Sequence, residues 1–164
     1  MSKKNEKIEK TNVCRLLDRA KIPYEMHTYP HEDGAVDGAT VAQILNQPPE
    51  KVFKTLVTRG AKKGSYYVFD IPVEAELDLK AAARAAGEKS VEMLHVAELL
   101  PLTGYVRGGC SPVGMKKQFP TFIDASAQSQ PTIMISAGKI GMQVELDPKA
   151  LCTLIGAKFA EITV

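Results

Sequence analysis

The feature that most limits how this chain can fold is residues 105–117, YVRGGCSPVGMKK, in which three glycines and a proline fall within seven residues. Glycine tolerates positive φ and close backbone contact, and proline cannot donate to a strand ladder, so this stretch is predicted to be a loop between apolar segments. Such a loop leaves backbone N–H groups available to a carbonyl or a phosphate, although ordinary turns share its composition. The loop therefore predicts either a ligand site or a plain connection.

The composition is that of one ordinary globular domain. The chain has 164 residues, of which 45% are apolar and 24% charged, and a net charge of +2 is too small to indicate nucleic-acid binding by itself. No apolar run approaches the ~20 residues of a membrane span, and the polar start MSKKNEKIEK does not resemble a signal peptide. We therefore expect a cytoplasmic, monomeric protein that binds no membrane, with a flexible basic tail (1–10) and one domain (11–164).

Periodicity and capping signals predict about five short helices and seven or eight strands. The second helix is predicted to begin at Thr40, whose capping box would involve Gln43, and residues 104–107 are predicted to be a strand that enters the glycine-rich loop. Hairpins and helical connections occur without regular βαβ alternation. The pattern predicts a single α+β domain with a mixed, mostly antiparallel, barrel-like sheet surrounded by short helices.

One charged residue interrupts the strand that the sequence predicts most strongly. Residues 52–58, VFKTLVT, are β-branched and aromatic on both faces, which is typical of a buried strand. In such a strand Lys54 points to the same side as Val52 and Leu56. Burying its ammonium group is unfavourable unless the side chain reaches solvent or an anionic ligand. Lys54 is therefore either an edge residue that extends to water or a cation inside a pocket.

Most familiar catalytic motifs are missing from the sequence. The chain contains neither a Walker loop nor the GxGxxG of dinucleotide sites, and Pro112 follows Ser111 where a nucleophile elbow needs a different spacing. His27 and His31 lie in extended or loop sequence, and the three cysteines are widely spaced, so no metal site or disulfide framework is indicated. A nucleophilic pair of Cys110 with a histidine remains formally open.

The remaining polar features suit a site that positions its ligand. They are Lys54, Tyr29 and two glycine-bearing loops, residues 105–117 and 136–141. Backbone N–H groups can stabilise the oxygen of a reacting carbonyl without any covalent step by the protein. The nucleophile would then come from water or from the substrate.

Four segments, FKTLV, HTYPH, TGYVRGGCSPVGMKK and ISAGKIGMQVEL, together resemble the YbaK/EbsC family of bacterial aminoacyl-tRNA deacylases, and most closely its Cys-tRNA(Pro) deacylase branch. The resemblance implies the fold shared with the editing domain of bacterial prolyl-tRNA synthetases. It also implies removal of cysteine from mischarged Cys-tRNA(Pro), with Cys-tRNA(Cys) as a further substrate, by cyclisation of the substrate's own thiol. No cofactor or metal is expected, and the implied partners are mischarged tRNA and, transiently, prolyl-tRNA synthetase.

The resemblance also implies roles for particular residues. Lys54, Gly108 and Gly109 would be catalytic, Lys54 by holding the 3′-terminal adenosine or its phosphate and the two glycines by contacting the aminoacyl carbonyl. The implied substrate-binding residues are Tyr29, Thr55, Cys110, Ser111, Pro112, Ser136, Ala137, Gly138, Lys139 and Gln143.

Three residues depart from those typical of the family, namely Asp37, Cys110 and Gln143. They leave the amino-acid specificity open, so the chain could instead hydrolyse Ala-tRNA(Pro) or another small aminoacyl-tRNA with water as nucleophile. Two further alternatives are a module that binds tRNA or a synthetase without catalysis, and a hydrolase that uses Cys110.

Overall fold

The structure, a computed structural model, describes residues 10–30 and 37–164. The predicted basic tail lies outside these residues apart from Lys10, and so does most of the polar loop after Pro30, including His31. In chain order the described elements are α1 (Asn12–Arg19), β1 (Tyr24–Thr28), α2 (Gly38–Ile44), a 3₁₀ turn (Pro49–Lys51), β2 (Phe53–Gly60), β3 (Tyr66–Pro72), α3 (Leu79–Ala86), β4 (Val91–Met93), α4 (Val96–Thr103), β5 (Thr121–Asp124), a second 3₁₀ turn (Ala125–Ser129), β6 (Ile133–Ser136), β7 (Met142–Leu146), α5 (Pro148–Ile155) and β8 (Lys158–Ala160).

Two sheets organise these strands. The smaller sheet has the order β1-β7-β6 and is antiparallel throughout. The larger has the order β4-β2-β3-β5-β8, in which β5 runs parallel to both β3 and β8 and the other pairs are antiparallel. A parallel bridge between Val52 and Met134 joins the two sheets where β2 begins.

The predicted α+β class and the mixed, mostly antiparallel pairing are confirmed, but the barrel-like arrangement is wrong. The described strands form two open sheets. The larger sheet ends in β4 and β8, which are three residues each, and closure would require its two edge strands to pair with each other.

The apolar core has two main parts that follow the two sheets. Helices α1 and α5 cover the smaller sheet, where Val13, Leu17 and Leu151 are fully buried. Helix α3 contributes Ala82 to the core of the larger sheet, which also contains the stacked rings of Phe69 and Phe122. Among the described helices, none has the length and apolar character needed to cross a membrane.

Helix α2 begins three residues earlier than predicted. Asp37 is its N-cap, and the carboxylate accepts hydrogen bonds from the Thr40 amide at 2.9 Å and from the Thr40 hydroxyl at 2.9 Å. Gly38 then packs against Val73 so closely that a Cβ atom at residue 38 would lie 2.4 Å from Val73 Cγ1. An acidic cap and a residue without a side chain therefore hold the start of α2 against the larger sheet.

The predicted strand at residues 104–107 is not formed. Helix α4 ends at Gly104, which adopts a left-handed conformation with φ of 87°. The Tyr105 amide then donates to Thr103 Oγ1 at 3.1 Å, and the Lys116 amide donates to the Thr103 carbonyl at 3.0 Å. These bonds tie the glycine-rich loop to the end of α4, so the loop is anchored to a helix and not to a strand.

Candidate active site

A cleft of about 580 Å³ opens where the start of β2 meets α2 and the glycine-rich loop. Its walls come from both sheets, since Gln143 belongs to β7 and Ser136 to β6. Seven of the residues implied by the family resemblance line it, namely Tyr29, Lys54, Thr55, Gly108, Cys110, Ser136 and Gln143. The fold thus gathers residues that lie more than 100 positions apart in the chain into one cleft.

Lys54 is half-buried in the wall of this cleft. It lies in β2 opposite Ile71 of β3, next to the bridge that joins the sheets. Within the described part of the chain, its side chain forms no ion pair or hydrogen bond. Of the two readings of this lysine, the structure favours a cation in a pocket, and its charge is available to a ligand.

The glycine-rich loop contributes Gly108 and Cys110 to the lining of the cleft. Gly108 has φ of 89°, a conformation that other residues rarely adopt. The Gly109 amide donates to the Val106 carbonyl at 3.0 Å, so this N–H is already used inside the loop. The amides of Gly108 and Cys110 donate to no acceptor among the described residues. These two N–H groups, and not that of Gly109, are therefore the ones available to a carbonyl oxygen.

Two other implied loop residues, Ser111 and Pro112, are buried and lie outside the cleft lining. Ser111 is fully buried, and its hydroxyl accepts a hydrogen bond from the Val113 amide at 3.2 Å. The Tyr105 hydroxyl donates to the Val113 carbonyl at 2.5 Å. This part of the loop therefore maintains the loop's shape and does not contact the space in the cleft.

The second glycine-bearing loop supports the site from behind. Ser136 lines the cleft, and its hydroxyl accepts a hydrogen bond from the Gly138 amide at 3.0 Å. Ala137, Gly138 and Lys139 lie outside the lining. The Ala137 carbonyl is bound by the Thr11 hydroxyl at 2.7 Å, which connects this loop to the start of α1.

Tyr29 and Gln143 form the wall nearest the smaller sheet. The Tyr29 amide donates to the Gly141 carbonyl at 2.9 Å, which fixes the buried tyrosine just beyond β1. Gln143 is buried, and its Oε1 atom has no hydrogen-bond partner within the described residues. An unpaired buried amide oxygen is unfavourable unless a ligand or water binds it, so the Oε1 atom of Gln143 is an acceptor that a bound donor would satisfy.

Sequence reasoning did not assign several of the lining residues. Arg107 had no predicted role, and its exposed side chain gives the cleft a second cation. The apolar part of the lining is Val41, Val52, Phe53, Leu56 and Val73, with Asp37, Gly38 and Ala39 at the start of α2. Apolar residues in strands and helices carry no signal that separates a pocket wall from a core, so the sequence offered little basis for finding them.

A further acidic residue lies behind the lining and was also missed. Asp70 of β3 is fully buried, and its Oδ1 atom accepts a hydrogen bond of 2.5 Å from the Thr55 hydroxyl. Burial raises the pKa of the Asp70 carboxyl to about 7, although the bond from Thr55 favours the ionised form. The sequence could have indicated this buried acid, because Asp70 is the one charged residue of the otherwise mostly apolar segment YYVFDIP.

The properties of Cys110 oppose a role as nucleophile. Burial, and secondarily the charge of Asp70, raise the pKa of the Cys110 thiol to about 12. Thiolate is the reactive form of cysteine, so a thiol of this kind is almost entirely protonated at neutral pH. Cys110 therefore shapes the cleft without supplying a nucleophile.

Another polar cluster lies on the smaller sheet. Glu25, His27 and Glu145 have ligand atoms within 4.8 Å of one another. The Glu145 carboxylate, however, is bound by Lys51 at 2.5 Å and by the Thr132 hydroxyl at 2.5 Å. Burial acts to raise the pKa of Glu145, but these bonds, together with one to His27, lower it to about 2. The cluster serves as an ion-pair network that holds the strands and the 3₁₀ turn together.

Two solved structures share the fold of this domain. The hypothetical protein APE2540 superposes with a TM-score of 0.84 at 21% identity, covering 94% of this chain and all of that one. A candidate trans-editing enzyme for prolyl-tRNA synthetase superposes with a TM-score of 0.76 at 25% identity, covering 86% of this chain and 87% of the other. The chain therefore has the fold of these two structures, one of which is named as a candidate trans-editing enzyme.

Sequence comparison then gives the family. Residues 32–154 match the aminoacyl-tRNA editing domain, and the chain belongs to that family. Over 163 residues it is 47% identical to EbsC of Enterococcus faecalis, which is named as a candidate Cys-tRNA(Pro)/Cys-tRNA(Cys) deacylase, with 99% of this chain and 98% of EbsC covered. The family predicted from the four sequence segments is confirmed, and the predicted enzyme class, an aminoacyl-tRNA deacylase, agrees with it.

Proposed function

We propose that the protein is a trans-editing deacylase that removes cysteine from Cys-tRNA(Pro) and, as a second substrate, from Cys-tRNA(Cys). The observation that carries the proposal is the cleft, whose lining includes both Lys54, which forms no ion pair or hydrogen bond among the described residues, and Gly108 and Cys110 of the glycine-rich loop. The near full-length identity to EbsC supports the same substrates. A single cleft of this size suits the aminoacyl-adenosine end of a tRNA.

Binding relies on charge at the mouth and on shape within the cleft. Lys54 and Arg107 are positioned to attract the phosphate next to the terminal adenosine. Tyr29, Thr55 and Ser136 line the space for the aminoacyl group. Lys54 then acts as a catalytic residue by holding the ester close to the loop.

In the reaction, the sulfur of the bound cysteinyl group attacks its own ester carbonyl carbon. A C–S bond forms, the C–O bond to the ribose breaks, and the thiol proton is transferred to the departing ribose oxygen. The products are a cyclic thiolactone and tRNA with a free terminal hydroxyl. We assign the stabilisation of the carbonyl oxygen to the Gly108 and Cys110 amides, which have no other acceptor among the described residues. Gly109 supports the loop that carries them.

The assignment requires no nucleophile from the protein. The raised pKa of Cys110 leaves its thiol protonated. Ser111 is fully buried, with its hydroxyl bound to the Val113 amide. Attack by the substrate's own thiol agrees with both observations.

A deacylation assay tests this function. Purified protein is incubated with Cys-, Ala- and Pro-tRNA(Pro), with Cys-tRNA(Cys) and with S-methylcysteinyl-tRNA(Pro). We expect loss of cysteine from both cysteinyl tRNAs and no reaction of the S-methyl ester. Absence of deacylation with all five substrates would refute the proposed function, and a non-catalytic binding module would then be the better account.

A second candidate, hydrolysis of Ala-tRNA(Pro) or another small aminoacyl-tRNA, is favoured by one observation. Gln143 belongs to the cleft lining, and its buried Oε1 atom, which has no hydrogen-bond partner among the described residues, could accept a hydrogen bond from a bound water molecule. The same assay separates the candidates. Faster release of alanine than of cysteine, together with hydrolysis of the S-methyl ester, would assign water as the nucleophile.

Selection of tRNA(Pro) requires contacts beyond this cleft, which has room only for the aminoacyl end. We therefore propose that the protein, as a cytoplasmic monomer, acts in a transient complex with prolyl-tRNA synthetase. Adding the synthetase should raise kcat/KM for Cys-tRNA(Pro) but not for Cys-tRNA(Cys). Equal effects on both substrates would contradict such a complex.

A further inference from the structure

Asp70 and Thr55 form a pair that connects the buried sheet to the cleft. They lie directly opposite each other in the antiparallel pairing of β2 and β3. Thr55 lines the cleft, whereas Asp70 is fully buried behind it, and the Thr55 hydroxyl donates to Asp70 Oδ1 at 2.5 Å. The distance is short, as expected for a hydroxyl bound to a carboxylate.

The position of Asp70 is unfavourable for stability alone. Its neighbours in β3, Phe69 and Ile71, are fully buried apolar residues. The Oδ2 atom of Asp70 has no hydrogen-bond partner within the described residues. A buried carboxyl group with one unpaired oxygen costs stability, and such groups are concentrated at functional sites.

The pair determines which hydrogen bonds Thr55 can make to a ligand. A threonine hydroxyl has one proton and two lone pairs. When the Asp70 carboxyl is ionised it can only accept, so the proton of Thr55 is directed to it and only lone pairs remain for the cleft. Thr55 therefore acts as an acceptor towards the ligand, with the carboxylate behind it strengthening the acceptor.

We propose that Asp70 is a positioning residue that makes Thr55 the hydrogen-bond acceptor for the α-ammonium group of the bound aminoacyl ester. The inference rests on the proposed function and names the part of the substrate that this wall recognises. Lys54, the preceding residue, supplies positive charge to the same cleft. The cleft thus offers the Lys54 ammonium group to the phosphate of the ligand. It offers the Thr55 hydroxyl, backed by the Asp70 carboxylate, to the α-ammonium group. These two pairings match the charge distribution of an aminoacyl-nucleotide.

The charge of Asp70 is not neutralised by the one titratable group described as interacting with it. That group is Cys110, whose thiol remains protonated. A donor from the ligand is therefore the group that would complete the chain of hydrogen bonds from Asp70 through Thr55.

The test uses two substrates, four single variants and the double variant Asp70→Leu/Thr55→Val, all of the whole protein. The substrates are Cys-tRNA(Pro) and 3-mercaptopropionyl-tRNA(Pro), which keeps the thiol and the ester but lacks the α-amino group. Asp70→Leu and Thr55→Val break the pair, and Asp70→Asn keeps an acceptor for the Thr55 proton. Thr58→Val is the matched control, because Thr58 is a buried threonine of the same strand whose hydroxyl binds the Tyr67 carbonyl.

For each variant we compare kcat/KM for Cys-tRNA(Pro) with kcat/KM for the deamino substrate, and the ratio of the two is the preference. The two esters differ in intrinsic reactivity, but that difference is the same for every variant and therefore does not affect the comparison. We expect Asp70→Leu and Thr55→Val each to reduce this preference about tenfold or more, mainly through KM. The double variant should show the same reduction in preference as either single variant, because both substitutions remove the same interaction between Asp70 and Thr55. Thr58→Val should keep the wild-type preference, and Asp70→Asn, which keeps an acceptor for the Thr55 proton but not the charge, should lose less of the preference than Asp70→Leu does.

The outcomes distinguish this inference from the proposed function. If wild type deacylates Cys-tRNA(Pro) but the preference is unchanged in both Asp70→Leu and Thr55→Val, the inference is wrong and the function stands. An equal loss with both substrates would mean that the acceptor serves the ribose or the thiol, and would also overturn it. Should Asp70→Leu fail to fold, as judged by circular dichroism, Thr55→Val and its control decide the question.

Discussion

Gly109 lies against Ile140 so closely that a Cβ atom at residue 109 would be 3.1 Å from the Ile140 amide nitrogen. The same Cβ atom would lie 3.3 Å from the Lys139 carbonyl carbon. Both neighbours are backbone, which cannot rotate away as a side chain can. The two glycine-bearing loops are therefore in direct contact, and the loop that contributes Gly108 and Cys110 to the cleft is supported by the other.

Substituting Gly109 tests this support. We expect Gly109→Ala to separate the loops by a few tenths of an ångström, to lower kcat for cysteine release about tenfold or more, and to cost about 1–3 kcal/mol of stability. Gly60→Ala is the matched control, since a Cβ atom there would meet only the end of the Glu88 side chain. Equal kcat values for the two variants would show that loop spacing does not matter.

Replacing Lys54 should weaken substrate binding specifically. Loss of a charge-assisted bond costs about 1.5–3 kcal/mol, so Lys54→Ala is expected to lower kcat/KM about tenfold or more and to reduce the salt dependence of binding. Lys62→Ala removes an exposed lysine from the turn between β2 and β3 and serves as the control. An effect of Lys62→Ala as large as that of Lys54→Ala would reveal general charge attraction and no specific role for Lys54.

Cys110→Ser should leave turnover within about threefold of wild type. The thiol has a pKa of about 12, raised mainly by burial, and is therefore not an effective nucleophile at neutral pH. For the same reason iodoacetamide should modify Cys110 slowly at pH 7.5, as mass spectrometry of tryptic peptides would report. Complete loss of cysteine release in the serine variant would instead support the hydrolase that uses Cys110.

Asp70 should make stability depend on pH between about 4 and 7. Its pKa is raised in the folded state from 3.8 to about 7, so the folded protein holds this proton more tightly than the unfolded chain does. The resulting stability is complete below pH 3.8 and is lost as the pH rises towards 7. In thermal unfolding experiments, Tm of Asp70→Asn minus Tm of wild type should rise by about 5 °C or more across this interval. A difference that stays constant with pH would contradict the raised pKa.

Glu145 should produce the opposite dependence at lower pH. Its pKa is lowered from 4.5 to about 2, because the bonds from Lys51, Thr132 and His27 outweigh the effect of burial. The stability it contributes is therefore present above pH 4.5 and is lost as the pH falls towards 2. Glu145→Gln should differ most from wild type at neutral pH and least near pH 2, as urea unfolding curves at several pH values would show. A difference that persists at pH 2 would argue against the ion-pair network.

Local signals predicted much of this molecule. The presence of about five short helices was readable from periodicity and capping signals, because a helix is specified by residues that are neighbours in sequence. The parity argument for Lys54 likewise used only local information, the alternation of side chains along a strand. The start of α2 was predicted wrongly because both Asp37 and Thr40 are residue types that favour the N-cap position. In the structure the N-cap is Asp37, and the next residue, Gly38, packs closely against Val73, a tertiary contact that the sequence does not reveal.

Features that depend on tertiary contacts could not be predicted. Residues 104–107 have strand-forming side chains, but their backbone is captured by Thr103 and no neighbouring strand pairs with them. The occupied amide of Gly109 and the burial of Ser111 likewise follow from the particular path of the loop. Asp70 could be noticed as a charge in an apolar run, yet its hydrogen bond to Thr55 depends on strand register.

The bridge between Val52 and Met134 makes the methionine a natural reporter for the cleft. Met134 is fully buried and packs with Val52 and Val73, which both line the cleft, and it lies one bridge away from the strand that carries Lys54. Its methyl group would therefore give an NMR signal that shifts when the neighbouring space is filled, with no label placed on the ligand. Titration of carbon-13 methyl-labelled protein would then register occupancy separately from turnover.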